Sequence, residues 1–207
     1  MTHALPVNHH AAYPGFTGVF GVVAGLGMLA MGRGHARLVV ELAAVTADDR
    51  VVDIGCGPGG AGRAAAARGA SVVGVDPAPV MLRIATEATR DRSRISWLQG
   101  SAEALPVPSG WATVVWSVRT VHHWRDVGAG LAEVRRVLAP SGRLLVLERC
   151  VQPGATGLAS HGWTAQQAES FAAQCRAAGF DGVGIDRRPH ARGAVWAVHA
   201  VRREDVN

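Results

Sequence analysis

Residues 51–60, Val-Val-Asp-Ile-Gly-Cys-Gly-Pro-Gly-Gly, constrain the fold more than any other stretch, because an apolar β-branched run breaks abruptly into glycine and proline. Val51, Val52 and Ile54 read as a short buried strand, the glycines as a tight turn, and residues 61–68 as the helix that follows. Glycine at such a turn lets the backbone take positive φ and lets a ligand approach main-chain N–H groups at a helix start. A second apolar run at residues 71–75 completes a strand–helix–strand unit, the building block of a parallel sheet.

Gly55, Gly57 and Gly60 fall at G-x-G-x-x-G spacing, and Asp76 follows at the remove of a ribose-binding acid at a strand's carboxyl end. That pattern suits a dinucleotide as far as it goes. Asp53 argues against one, since a diphosphate near its carboxylate would meet repulsion on the order of several kcal/mol in a partly buried site. A cationic ligand gains by the same amount, and S-adenosylmethionine carries both a sulfonium and an ammonium.

Three segments, Asp-Ile-Gly-Cys-Gly-Pro-Gly (53–59), Val-Val-Gly-Val-Asp (72–76) and Ala-Glu-Ala-Leu-Pro (102–106), resemble class I S-adenosylmethionine-dependent methyltransferases of the ubiquinone-biosynthesis-like group. The likeness covers residues 48–150 and, more loosely, the tail to about residue 201. It implies an α/β, Rossmann-like, seven-stranded and mostly parallel sheet of order 3-2-1-4-5-7-6, with strand 7 antiparallel and helices on both faces. It also implies a cofactor site. Asp53, Gly55, Cys56, Gly57, Pro58 and Gly59 would serve the methionine end and ribose edge, and Asp76 with Pro77 the ribose hydroxyls. Met81 would pack on the adenine ring, Ser101, Ala102 and Glu103 would line its edge, and Ser117 would meet the methionine head through its backbone. Ser101 departs from the aspartate usual at its position, which leaves the adjoining backbone contact at Ala102.

Residues 112–117 read as the fourth strand, and the loop after it is the candidate catalytic rim, since functional loops of open α/β sheets lie at the carboxyl edge. There His122 and His123 are the candidate catalytic residues, with His122 as a general base because its ordinary pKa lies near 6.5. Arg119, His122, His161 and Trp163 are the candidate acceptor-site residues; packing before a Thr164 helix cap is an equally good role for Trp163.

The chain of 207 residues, 48% apolar, reads as one domain over residues 1–207, with an arm and cap helix in 1–34 and the core in 35–207. Residues 16–31 read as a helix stopped by Gly32-Arg33-Gly34, either packed closely through its glycines or capping the acceptor. The run is shorter than the ~20 residues that span a bilayer and has no basic leader, so neither a membrane span nor a signal peptide is expected. A second helix is expected over 35–45, a helix starting at Pro77, another over 127–138, a fifth strand over 143–148, a helix over 164–178, and strands at 183–186 and 194–201 joined by a turn at 187–190.

All 21 basic residues are arginines, scattered singly or in pairs, so the net charge of +5 reads as a solvated surface and not a nucleic-acid stripe. Cys56, Cys150 and Cys175 form no C-x-x-C, which points to neither disulfides nor a metal site and fits a reducing cytoplasm. The expectation is therefore methyl transfer from S-adenosylmethionine to a small, partly hydrophobic acceptor, with the oligomeric state left open and a homodimer compatible with the sequence. A nicotinamide-dependent oxidoreductase and a non-catalytic binding protein are the alternatives; the first is opposed by Tyr13 being the only tyrosine and by the absence of lysine, which rule out a Tyr-x-x-x-Lys pair.

Overall fold

The computed structural model describes residues 6–12, 18–91, 93–190 and 193–204, with the backbone alone for 18–20, 30 and 31. Its frame is one seven-stranded sheet of order β3-β2-β1-β4-β5-β7-β6. The strands are β1 (Arg50–Ile54), β2 (Ser71–Asp76), β3 (Ile95–Gln99), β4 (Ala112–Val118), β5 (Leu138–Arg149), β6 (Phe180–His190) and β7 (Gly193–Arg202). β1 to β5 run parallel, while β7 is antiparallel to both β5 and β6.

Alternation along β1 divides the core. Val52 and Ile54 face one layer with Leu131 and Val134 of α5 (Val127–Val137) and Phe171 of α6 (Ala165–Ala177). Val51 faces the other, with Val39 and Val40 of α2 (Arg33–Leu42) and Ala65 of α3 (Gly60–Ala66). α3 lies close because it is nearly all glycine and alanine; a Cβ at Gly62 would sit 2.9 Å from the Trp97 ring. α4 (Pro79–Ala88) packs under α1 (Gly18–Met31), where Gly25 leaves room for Ile84 and Met81.

Four boundaries differ from the sequence reading, each for a local reason. Pro77 does not start a helix: Asp76 Oδ1 accepts the Ala78 N–H at 2.8 Å and Ala78 stays extended, so Pro79 takes the first helical position. The 32–34 stretch does not stop α1 for long, because Gly32 keeps right-handed dihedrals (φ −78°, ψ −8°) and α2 begins at Arg33. Residues 139–142 belong to β5 as a bulge opposite β4, with Ser141 at φ 60°. Residues 187–190 are the end of β6 rather than a turn, and Pro189 is tolerated because β6 is an edge strand.

α6 does begin after Thr164, through a reciprocal cap with Gln167. Among the described residues no helix is long and apolar enough to cross a membrane.

Candidate active site

The turn after β1 holds Gly55, Gly57 and Gly59 at φ 68°, 52° and 78°. Two of these glycines are required by packing. A Cβ at Gly55 would lie 2.6 Å from Thr120 Oγ1, and one at Gly59 would lie 2.5 Å from the Trp97 ring. Gly57 is different: among the described residues, Met28 Sδ, at 4.0 Å, is the sole neighbour such a Cβ would meet. The turn is pulled onto β2 by the Gly55 and Cys56 N–H groups, which donate to the Val75 carbonyl at 2.8 and 3.1 Å. Asp76 then bridges two loops, its Oδ2 accepting the Gly57 N–H at 2.9 Å while Oδ1 holds Ala78. Burial pushes this carboxyl upward, and the two N–H bonds oppose the shift.

Asp53 sits elsewhere than its expected role requires. It is 2% exposed, on the α3 side of the sheet, and its Oδ2 accepts the Gly62 N–H at 3.1 Å in the first turn of that helix. Burial pushes the carboxyl up to about 7, and the negative charge of Asp76 adds to the effect. The carboxylate therefore anchors α3 and presents no fixed negative charge to the open side of the turn, so the argument from charge against a diphosphate rests on a buried group.

The remaining cofactor candidates ring the turn unevenly. Cys56 and Pro58 are buried and Pro77 is exposed; burial, with Asp53 and Asp76 nearby, raises the Cys56 thiol well above its usual range. Met81 is 1% exposed beneath Gly25 of α1, so it has no open face for an adenine ring. Ser101 forms a bridge with Ala104, and Ala102 is buried beside it. Glu103 turns away to accept the Arg125 and Asp126 N–H groups at 2.8 and 3.2 Å, fastening this loop to the start of α5. Ser117 is fully buried and its Oγ lies 2.5 Å from Thr120 Oγ1, which donates to the Ile54 carbonyl. The ends of β1 and β4 are thus tied together.

Beyond β4, Arg119 takes φ 60° and a short 3-10 turn, Val121–His123, follows. Glu148, at the end of β5 and fully buried, accepts the Val121 N–H at 2.9 Å through Oε1 and meets His122 Nδ1 at 2.9 Å through Oε2. A carboxylate at that nitrogen holds the proton on Nδ1 and leaves Nε2 to accept one.

The arm covers this pair. His10 donates its N–H to the His122 carbonyl at 2.9 Å, and its Nε2 lies 3.1 Å from Ser160 Oγ. His9 Nε2 meets the Ser160 carbonyl at 2.9 Å, and His10 stacks on His161 with ring centroids 4.3 Å apart. Five imidazoles, of His9, His10, His122, His123 and His161, therefore meet at the carboxyl edge of β4 and β5. Burial, then the charge of neighbouring imidazoles, lowers His10; burial first and His122 next bring His123 to about 4; burial is also the main cause at His161. All three are shifted toward their neutral forms. Among the described residues no three His, Cys, Asp or Glu side chains are disposed to hold a metal ion.

Trp163 does not face the site. It is fully buried against Phe171 and donates its indole N–H to the Val7 carbonyl at 2.9 Å, pinning the arm. Sequence reasoning passed over Glu148, His9, His10 and Ser160. Glu148 carried a signal, an acid closing the apolar strand Leu-Leu-Val-Leu-Glu next to the candidate catalytic loop; Ser160 carried none.

A sheet of this order with a glycine turn after its first strand defines a Rossmann-like fold with its ligand site at the carboxyl edge. Residues 52–146 match the family profile described as a methyltransferase domain. A demethylmenaquinone methyltransferase of Thermus thermophilus is 40% identical over 126 residues, 59% of this chain and 57% of that protein. A ubiquinone biosynthesis O-methyltransferase of Azorhizobium caulinodans is 37% identical over 98 residues, 47% of this chain and 39% of that one. The chain thus spans about half the length, or less, of the curated relatives it matches. A SAM-dependent methyltransferase from Aquifex aeolicus shares the fold, with a TM-score of 0.73 at 15% identity over 87% of this chain and 98% of that one.

Proposed function

We propose that this protein transfers a methyl group from S-adenosylmethionine to a small, partly hydrophobic acceptor at the carboxyl edge of β1 and β4, with His122 as the base and Glu148 as the residue that positions it. The observation that carries the reading is the turn itself: Gly57 is held at positive φ with only Met28 Sδ, among the described residues, within 4 Å of its open side, next to a carboxylate at the end of β2. Residues 55–59 would hold the methionine end, the spare lone pairs of Asp76 the ribose hydroxyls, and the Ala102 backbone the adenine edge. S-adenosylmethionine supplies an electrophilic methyl group on a sulfonium.

The protein's remaining work is alignment, exclusion of water and removal of one proton. His122 Nε2 would accept that proton from the acceptor's hydroxyl or other acidic group while Glu148 stabilises the imidazolium formed. His122 is 2% exposed beneath His9 and His10, so an acceptor reaches Nε2 only where the arm yields. A small acceptor also agrees with the quinone-pathway names of the relatives, and the three free cysteines agree with a cytoplasmic setting.

Calorimetry with S-adenosylmethionine, its demethylated product and NAD, followed by tritiated methyl transfer to a metabolite extract, tests this. Uptake of the first two with transfer of label is the expected result. Uptake of NAD alone would make the chain a dinucleotide-binding protein, and binding of the methyl donor without transfer would make it a non-catalytic receptor.

A further inference from the structure

α1 is built inside out for a helix on a water-soluble surface. None of its 14 residues is polar, and among the described residues its buried positions are glycines, Gly21 and Gly25, the second set against Ile84 and Met81. Among its described side chains, four large apolar ones point outward: Val23 is 64% exposed, Leu26 54%, Val22 40% and Met28 38%. Packing therefore explains the glycines and leaves the valines and the leucine unexplained, since an ordinary surface helix buries its large apolar residues and exposes polar ones.

The helix continues almost without interruption into α2. The Gly32 N–H donates to the Met28 carbonyl and the Ala36 N–H to the Gly32 carbonyl, the i→i−4 pattern, with Gly32 in right-handed dihedrals. At about 100° per residue, Val22, Leu26, Arg33 and Arg37 then lie within about 60° of one another on one stripe, with the arginines some 10–17 Å along from Leu26. Arg33 and Arg37 are both exposed, and Arg33 is near enough to Arg63 to lower the pKa of that guanidinium after burial has done so. Glu41, the acid of α2, lies a turn further from the apolar patch.

We propose that the outer face of α1 and the start of α2 dock this protein on an anionic membrane surface, Val22, Val23 and Leu26 entering the headgroup boundary while Arg33 and Arg37 meet lipid phosphates. An apolar patch continuous with guanidinium groups matches an acyl boundary overlain by negative headgroups, and neither part alone would give firm attachment. The segment lies on the surface and does not cross. The proposal stands apart from methyl transfer, because attachment is read without turnover.

Sedimentation of the full chain with vesicles of phosphatidylcholine and phosphatidylglycerol in equal parts tests it. The expected result is binding that weakens with salt and falls on vesicles of phosphatidylcholine alone. Val23→Ser with Leu26→Ser should weaken binding about tenfold or more, and Arg33→Gln or Arg37→Gln about fivefold each. The serine pair should melt as the parent does, since both side chains face outward; if it does not, the two glutamine variants carry the test alone. Failure to bind anionic vesicles at low salt, or equal binding by parent and variants, would overturn the proposal. So would light scattering that shows a dimer converted to monomer by the serine pair, which would give this face to a second copy of the chain.

Discussion

The two halves of the candidate site are held by different means. On the β1–β2 side the restraint is main chain: the Gly55 and Cys56 N–H groups on the Val75 carbonyl, and the Gly57 N–H on Asp76. On the β4–β5 side the restraint is side chain: His122 on Glu148, His9 and His10 on Ser160, and Trp163 on the Val7 carbonyl. A site held by main chain accepts one shape of ligand and tolerates side-chain change at its rim. A site held by clustered imidazoles can be changed by one substitution or by a proton.

The largest effect separates rate from affinity. His122→Ala should lower turnover by about 10²- to 10⁴-fold, the usual range for a lost general base, with the calorimetric affinity for S-adenosylmethionine unchanged. Glu148→Gln keeps the volume and the Val121 contact but lets an amide face Nδ1, which disturbs the tautomer; a loss of about 10- to 100-fold is expected, with the pH profile of turnover displaced. Either variant weakening cofactor binding while sparing the rate would break the division into two halves.

Two glycines sharpen the same comparison from the other side. Gly59→Ala should cost about 2–4 kcal/mol in urea denaturation, since its Cβ combines left-handed strain with overlap of the Trp97 ring. Gly57→Ala should cost only about 1–2 kcal/mol, the strain alone, yet weaken S-adenosylmethionine about tenfold or more because its Cβ points into the ligand's space. Equal stability losses with equal affinities would mean that the open side of Gly57 is not where the ligand lies.

The legibility of the sequence follows the same line. The turn at 55–59 and the place of Asp76 at the end of β2 were readable because residue type at a given spacing dictates local backbone shape, whereas the strand order came from the resemblance to a known family and not from periodicity. Asp53 was singled out for its charge beside the turn, but period-two alternation in β1 sends its side chain under α3, on the same face as Val51. The histidine cluster was not readable as a unit. His9 and His122 are 113 residues apart in sequence, and only the docking of residues 6–12 beside the β5–α6 loop brings them together. Trp163 shows the converse: an aromatic in a long functional loop looks like a ligand contact, but its indole N–H reaches the arm's backbone through the core.

The smallest effect is also the most discriminating, because proton uptake moves the two halves in opposite directions. His123, brought to about 4 by burial, and His10 and His161, lowered likewise, favour their neutral forms in the folded state. Their contribution to docking of the arm is complete above the ordinary histidine pKa near 6.5 and is lost as pH falls through the depressed values. Asp53, pushed up to about 7, and Asp76, raised in the same direction, have the opposite sign: the preference for the folded state is complete at acid pH and is lost as pH rises through the folded values. Hydrogen exchange read by mass spectrometry between roughly pH 5 and 8, corrected for intrinsic rates, should therefore show residues 6–12 opening on the acid side and residues 55–62 loosening on the alkaline side. His161→Gln, which removes the ring stacked on His10 and one titrating neighbour, should displace the acid-side opening of the arm and leave the alkaline response of the glycine turn in place. A response in which both segments open together would mean that the arm and the turn form one cooperative unit, and that the line drawn between main-chain and side-chain restraint has no energetic counterpart.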